Sequence, residues 1–423
     1  MLTDTLEQAT TAPQGGTQHL KVALSHDPAD LTALKAAWDA LQAHSANHCL
    51  YNSWEWVALV WQHLCEGDDL WLLTARDAQD NLIGVAALLR HNVSPIRGTK
   101  WQQISFLAAQ VDCDHLDFVC AQGKEAQVAE AFIARLYEER HQWDTLCLAS
   151  LPEGSPTLEV LQAYADPDQA QTEPEICPFI ALPATWDAYY NAVLGQRKRK
   201  NYRRDQRRYA ETFGANWSWA RVQTADELPA FFDDLVRLHQ AKWEALEQQG
   251  AFGTPRLAAF HRAVAARFLE LGWLRLYRLI INGTTAAVDY GYVYLGRYYA
   301  FAAGWDVQFA EYSPGDMLTS ITIQEAIAEG LAVFDLHRGD QPYKYQWGAQ
   351  NAYDRTVACL MSERARREQQ LLNAARSLWQ GVKGIVPKEL RRQLVRLVKT
   401  DPKCWLTFIL PTLNEMALML PLH

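Results

Sequence analysis

The sequence predicts an α/β (α+β) fold: two mixed-sheet halves in tandem, plus a helical C-terminal extension. Three observations predict it. Around Asn282-Gly283, three apolar runs are separated by tight turns in the order of an antiparallel meander, and a helix and a further strand follow. Residues 20–149 show the same order of helices, hairpin, strands, helix and strand, without any residue-level repeat. Between them, residues 151–178 are rich in Asp and Glu and carry Pro152, Pro156, Pro167, Pro174 and Pro178, so the boundary between halves is expected there. A chain of 423 residues is long enough for two such cores.

The elements follow in order. Residues 1–16 read as a disordered lead, and 17–178 as the first half. A short strand runs from Leu20 to Leu24 and a helix from Leu31 to Ala43. Ser53 suits the cap of a second helix, with Trp54, Val57, Trp61 and Leu64 at helical spacing. Leu70–Ala75 and Leu82–Leu89 are strands joined by a turn at Asp80-Asn81. Ile104–Leu107, Leu116–Val119 and Thr145–Ala149 read as further strands, with a helix over Glu125–Glu139.

The second half spans 179–361. Helices are expected over Trp186–Leu194, 197–212, Leu228–Gln248 and Pro255–Leu271. Strand Trp273–Ile281 meets Asn282-Gly283, a pair suited to a turn with positive φ at both positions. Thr285–Tyr294 and Tyr298–Ala303 complete the meander. A helix from Ser313 to about Glu329 precedes a strand at Ala332–Leu336. The tail, 362–423, is helical in pattern, punctuated by Pro387, Pro402 and Pro411.

Net charge is −9 but uneven: from Ser362 onward there are eleven Lys/Arg and five Asp/Glu, and Arg197 to Arg208 holds eight basic residues against Asp205 alone. An acidic body with two basic segments is not a general nucleic-acid binder, but can hold an anionic ligand or membrane surface locally. The eight cysteines form no C-x-x-C pair and sit in apolar runs, as in a reducing compartment, which argues against a disulfide framework or a zinc site. Met1 to Gly16 lacks a basic-then-apolar signal pattern, and no apolar run reaches the ~18 residues a spanning helix needs. A cytoplasmic protein is expected.

Four segments are candidates for chemistry. Ser313-Pro314-Gly315-Asp316 has the make-up of a helix start with a capping box. Its free amides would suit a pyrophosphate, although Asp316 already places negative charge at that end of the dipole. The second is Phe334 to Asp340, F-D-L-H-R-G-D, followed by Y-K-Y-Q-W-G from Tyr343 to Gly348. A strand ends there in a burst of titratable groups, as at a site on a sheet edge. Acyl transfer to an amine needs a base, an oxyanion donor and an acid for the leaving thiolate. Asp335 or His337 matches the base, Lys344 the oxyanion donor, and Tyr343 or Tyr345 the acid. The third is Asp112-Cys113-Asp114-His115-Leu116-Asp117. It lacks the glycine and final glutamate of a calcium loop, so a polar loop, or a carboxylate orienting an acceptor amine, is expected and no metal. The basic segment Arg197–Arg208 reads as a solvated helix or as a grip on phosphates.

The runs S-P-G-D-x-L (Ser313 to Leu318), F-D-L-H-R-G-D and Y-K-Y-Q-W-G, at this spacing, resemble the GNAT-type acetyltransferase domain of CelD-like proteins, associated with cellulose or exopolysaccharide biosynthesis. N-S-W-E-W (Asn52 to Trp56) and the basic segment after Tyr190 are similar too. The resemblance covers about residues 20 to 360 and implies two GNAT-like halves, similar in fold to the Fem peptidyltransferases, which use aminoacyl-tRNA. It implies an acetyl-CoA or other acyl-CoA donor held by Ser313, Pro314, Gly315, Asp316 and Met317 with Arg338. Lys344 takes the position of a transition-state lysine, and Asp114 or Asp117 that of a first-half aspartate. The full Gln/Arg-x-x-Gly-x-Gly/Ala loop of ordinary GNAT enzymes is absent, Gly315 alone remaining. The expected reaction is acyl transfer to an amine, on an envelope or exopolysaccharide precursor. A Fem-like transferase that binds tRNA through Arg197–Arg208 is the alternative. A non-catalytic partner of a membrane-bound polysaccharide complex is the third reading, in which the tail, with its stripe Leu390, Leu394, Leu397 and Val398, lies on the inner membrane face.

Overall fold

Both halves run through the same series of elements. The computed structural model describes residues 20–94, 100–164, 174–245, 247–248, 250–370 and 373. The first series is β1 (Lys21–Ser25), α1 (Pro28–Ala33), α2 (Lys35–Ala43), α3 (Trp54–Leu64), β2 (Asp69–Arg76), β3 (Leu82–Val93), β4 (Trp101–Phe106), the short β5 (Val119–Cys120), α4 (Glu125–Glu138), β6 (Thr145–Pro152), α5 (Pro156–Tyr164) and β7 (Glu175–Ala181). After α6 (Trp186–Ala188) and α7 (Gln196–Phe213), the series repeats. It runs β8 (Trp217–Arg221), α8 (Leu228–Ala245), α9 (Pro255–Glu270), β9 (Leu274–Ile281), β10 (Thr284–Tyr294), β11 (Arg297–Trp305), α10 (Pro314–Ala328), β12 (Val333–Asp335), α11 (Pro342–Gln346) and β13 (Gln350–Leu360).

The halves share one mixed sheet, in the order β1-β2-β3-β4-β6-β13-β7-β12-β11-β10-β9-β8, with β5 beside β3. β4 pairs parallel with β6, and β11 parallel with β12. The last strands are exchanged. β13, from the end of the second series, pairs with β6 of the first, and β7, from the end of the first, pairs with β12 of the second. β7 and β13 also pair with each other at the centre. Neither half can complete its sheet without the other.

Local sequence explains the well-formed elements. The Ser53 side chain accepts from the Trp56 amide and caps α3, whose Trp56, Val57 and Val60 are buried. Asn282 and Gly283 both take positive φ, 50° and 77°, and close the β9–β10 hairpin. One core packs α8, α9 and α3 with Val288, Tyr290 and Tyr292 of β10; a second packs α7 and α10 with Ala287 and Tyr298 on the opposite face.

Residues 151–178, where the boundary is expected, hold the end of β6, α5 and the start of β7. Two expectations are corrected. Leu116–Val119 is not a strand; pairing is confined to Val119-Cys120, and His115 just before it sits at φ 58°. Ser313 takes a left-handed conformation (φ 51°, ψ 53°), and its side chain makes no capping bond. The short β8 and α11 were not expected. Most of the tail, like residues 1–16, lies outside the described residues. No helix among the described residues is long and apolar enough to cross a membrane.

Candidate active site

The motif residues meet where the two series join, at the C-terminal end of β12. Asp335 closes that strand, and the chain then turns through His337, at φ 62°, into the loop before α11. Lys344 is buried and turns its ammonium back into this loop. It donates to the carbonyls of His337, Arg338 and Gly339 at 2.6, 2.8 and 3.0 Å. Burial pushes its pKa down to about 8. All three donors are in use, so Lys344 orders the loop in this structure instead of facing an oxyanion.

The first series supplies the partners. Asp114 is buried, and its Oδ2 makes a short contact with His337 Nδ1 and accepts from the Arg338 amide at 2.7 Å. Its Oδ1 lies 2.8 Å from Arg338 Nε. Burial would raise the Asp114 carboxyl, but His337 and Arg338 outweigh it and hold it well below the usual carboxylate range. His115 Nε2 lies 3.0 Å from Asp335 Oδ2, and its Nδ1 2.9 Å from Asp354 Oδ1. Against the pull of burial, these two carboxylates raise the His115 pKa well above its ordinary value. Arg297 adds a 3.0 Å contact to Asp335, and His337 N–H donates to the other Asp335 oxygen at 2.9 Å.

These contacts sort the sequence candidates. Asp335 faces His115 and Arg297 through Oδ2 and the His337 amide through Oδ1, and these partners hold its carboxyl below the usual range against burial, which makes it a poor base. Arg338 is committed to Asp112, Asp114, Glu175 and the Cys113 carbonyl, so it does not face a donor phosphate. Asp117 accepts from Ser155 at 2.6 Å, apart from the junction. Asp114 Oδ1 and Arg338 Nε make no hydrogen bond but face each other as an ion pair, whereas the buried His337 Nε2 has no hydrogen bond and only Asp112 Oδ2 at 3.8 Å. Nδ1 lies against Asp114 and also 2.8 Å from the Arg338 amide; with its proton on Nδ1, shared with the Asp114 carboxylate that raises its pKa, the neutral ring presents the Nε2 lone pair. His115, Cys177 and Asp354 hold three potential ligand atoms within 4.8 Å of one another. Carboxylates occupy both His115 nitrogens and burial raises the Cys177 thiol, so the set behaves as an ion-pair node. His115 was read only as part of its polar run, and Arg297 and Asp354 escaped sequence reasoning, because no local motif marks partners 220, 38 and 239 residues away.

The second cluster lies at the start of α10. Asp316 does not cap its own helix; it pairs with Lys198 of α7 at 2.8 Å. The Lys198 ammonium is buried and stands 3.7 Å over the Trp347 ring. Pro314 and Met317 are buried, and Met317 Sδ accepts from Gln206, so neither faces a ligand. Gly315 sits against Trp305, where a Cβ would lie 3.3 Å from the indole.

The sheet opens beside this helix start. β11 and β12 pair over only Arg297, Tyr298 and Tyr299. Past that point β12 ends, while β11 continues with β10 on one side and no strand on the other among the described residues. The β10–β11 register slips after Tyr290/Gly291, leaving Phe301 as the extra residue of a bulge. The unpaired edge of β11 and the end of β12 bound a slot. Its near mouth has Trp305 and Gly315. The far side has Phe301, whose ring lies 5.8 Å from that of His337. Tyr343, beside the near mouth, is half-exposed, whereas Tyr345 bonds Asp340 at the surface. Two surface clefts of the first half, of about 360 and 290 Å³, involve none of these residues.

Residues 196–345, from the start of α7 into α11, match the family described as the acetyltransferase (GNAT) domain. No curated protein matches the chain. A crystal structure of FemX is similar in fold, with a TM-score of 0.57 at 13% identity, covering 82% of this chain and 99% of that one. A conserved protein of unknown function from Bacteroides thetaiotaomicron has a TM-score of 0.51 at 13% identity, covering 80% and 100%. Over the segment from α7 into α11 the chain carries a GNAT acetyltransferase domain, the domain of an N-acyltransferase.

Proposed function

We propose that the protein transfers an acyl group from acyl-CoA to an amine, with donor and acceptor meeting in the slot between β11 and β12. The observation that carries this is the slot itself: a bulged strand edge left unpaired where its parallel neighbour stops, with a helix start at the same end. An unpaired edge accepts an extended, amide-bearing arm as it would a strand. The α10 amides and the Lys198 ammonium stand where the anionic end of such a donor would lie. On the far side, His337 takes the amine proton at Nε2, and Asp114 holds the ring in the required tautomer and stabilises its charged form. The backbone near the Phe301 bulge supplies donors toward the oxyanion. The acceptor we read as an envelope or exopolysaccharide precursor, on the motif runs shared with CelD-like proteins, met in the cytoplasm or at the inner membrane face.

Titration calorimetry with acetyl-CoA tests the donor. We expect saturable binding; absence of heat at millimolar donor, with the protein shown folded, would sink the CoA reading. One observation favours the Fem-like alternative. Arg197, Lys200, Arg203 and Arg207 are exposed on α7 and make no ion pair among the described residues. Such a face suits aminoacyl-tRNA, whose binding would weaken steeply with salt. Salt-independent or undetectable tRNA binding removes that alternative.

A further inference from the structure

A carboxylate outside every sequence motif lines the near mouth of the slot. Asp289, midway along β10, is buried, and its Oδ1 accepts from the Tyr298 hydroxyl at 2.8 Å. Its Oδ2 has no hydrogen-bond partner among the described residues, yet it is not among the atoms sealed from solvent. A buried carboxylate with one oxygen left open is unusual unless something meets it.

The register shows what that is. Asp289 lies opposite Ala303, and Ala287 opposite Trp305, so all four side chains share the α10 face. Ala303 and Trp305 are exposed and stand on the part of β11 that β12 no longer covers. Tyr298 stacks on Phe334 across the β11–β12 pair, with ring centroids 4.3 Å apart, and closes the inner end of this groove. Gly291 makes the arrangement feasible: a Cβ there would come within 2.8 Å of the Tyr298 hydroxyl and 2.5 Å of the Tyr299 carbonyl. Without that glycine, Tyr298 could not lie flat enough to reach Asp289. An arm entering from Gly315 and Trp305 therefore crosses Ala303, with Asp289 on the neighbouring strand beneath it.

The other titratable groups on this face are Tyr298, Tyr277, Arg275 and Arg221 on the strands, Glu329 at the end of α10 (which Arg221 also binds), the Lys198–Asp316 pair at its start and Tyr343 on α11. Arg275 is bound to Glu329. Among the described residues no cation pairs with Asp289. Burial raises its pKa to about 6, against the opposing Tyr298 hydrogen bond, which leaves a protonated fraction near neutrality.

We propose that Asp289 is the acid that protonates the leaving thiolate. The proposal rests on the acyl-CoA reading above. The amine nitrogen bonds to the thioester carbon and the C–S bond breaks, its electron pair going to sulfur. The sulfur takes the proton from Asp289 Oδ2, while the surplus proton on nitrogen goes to His337 Nε2. Exchange with solvent resets both residues, so amine and thioester become amide and thiol. Tyr343 stands further out and Tyr345 is held by Asp340, which leaves Asp289 as the buried acid at the slot.

Coenzyme A is the probe, with the full-length chain, and the readout is the ultraviolet absorbance of bound thiolate against pH. A carboxylate beside the sulfur opposes thiolate formation, so the bound thiol should titrate about one unit higher in the wild type than in Asp289→Asn. Asparagine keeps an acceptor for Tyr298 and removes a buried charge, so the fold should hold; a thermal melt checks this. Tyr298→Phe leaves the Asp289 charge in place and should keep the wild-type thiol titration. Equal titration in wild type and Asp289→Asn overturns the proposal, as does a Tyr298→Phe variant that behaves like Asp289→Asn. Calorimetry on the same samples separates the causes. If coenzyme A binds and the titrations coincide, only the role of Asp289 falls. If the wild type does not bind it, the donor reading falls and takes this role with it.

Discussion

The junction of the two series and the near mouth of the slot are both rich in charge, but they use it differently. At the junction, Asp112, Asp114, Glu175, Asp335 and Asp354 meet Arg297, Arg338, His115 and His337, and nearly every polar atom is bonded across the exchanged strands. At the mouth, Asp289 keeps an open oxygen, and Lys198 is satisfied by one carboxylate and one ring. Closed networks hold elements together; open groups near a strand edge are available to a ligand. The densest cluster of titratable residues is therefore mostly fastening, and the proposed chemistry uses open atoms: His337 Nε2 at its rim and Asp289 Oδ2 at the mouth.

The most severe way to break this comparison is Asp335→Ala. It leaves largely buried His115 and half-exposed Arg297 without their shared partner; His115 keeps Asp354 and Arg297 is partly solvated, so the cost should be about 2–3 kcal/mol, below that of a fully buried pair. Denaturant unfolding should show a clear loss of midpoint. A variant as stable as the wild type would show that the junction is not a fastening.

A smaller effect should come from pH. His115 and His337 both have raised pKa values in the folded state, because Asp335 and Asp354 hold the one and Asp114 the other. Their contribution is full below the unfolded value of about 6.5 and is lost as pH rises through the folded values. Asp114 and Asp335 are lowered, so theirs is present above about 3.9 and lost toward acid. Lys344, lowered to about 8, works the other way: the cost of burying its charge is relieved as pH rises. His115→Gln isolates the histidine part. Unfolding midpoints at about pH 6 and about pH 9 should differ less in this variant than in the wild type. An identical alkaline loss in both would remove His115 from the fastening.

Much of the fold was legible because its elements carry local signals. Asn282-Gly283 fixed a hairpin, Ser53 a helix start, and the apolar runs of β2, β3, β9 and β10 their strands. The exchange of β7 and β13 was not, because pairing partners more than 150 residues apart leave no trace in periodicity. β7 was further hidden by its own Pro178, which lacks an N–H and reads as a breaker, yet its carbonyl accepts from the Leu336 amide at 2.9 Å. The motif runs brought Asp335, His337, Arg338, Lys344 and Asp114 to one place. Their roles were not legible, since whether a carboxylate is saturated or open depends on contacts from the other half. Asp289 was missed outright: D-Y-G-Y inside an apolar strand has the look of core.

The smallest expected effect tests the mouth. Lys198→Met removes the ammonium, keeps its apolar stem against Trp347, and frees Asp316. Asp316 is partly solvated, so the stability cost should stay near 1 kcal/mol. If the α10 start holds an anionic donor, however, the variant loses a cation and gains an unmasked carboxylate at the same point. Acetyl-CoA affinity should then fall about tenfold, equal to about 1.4 kcal/mol. Asp335→Ala should show the converse, with large destabilisation and little change in donor affinity for the protein that remains folded. If Lys198→Met instead unfolds the chain while binding donor normally, the two regions have been assigned the wrong way round.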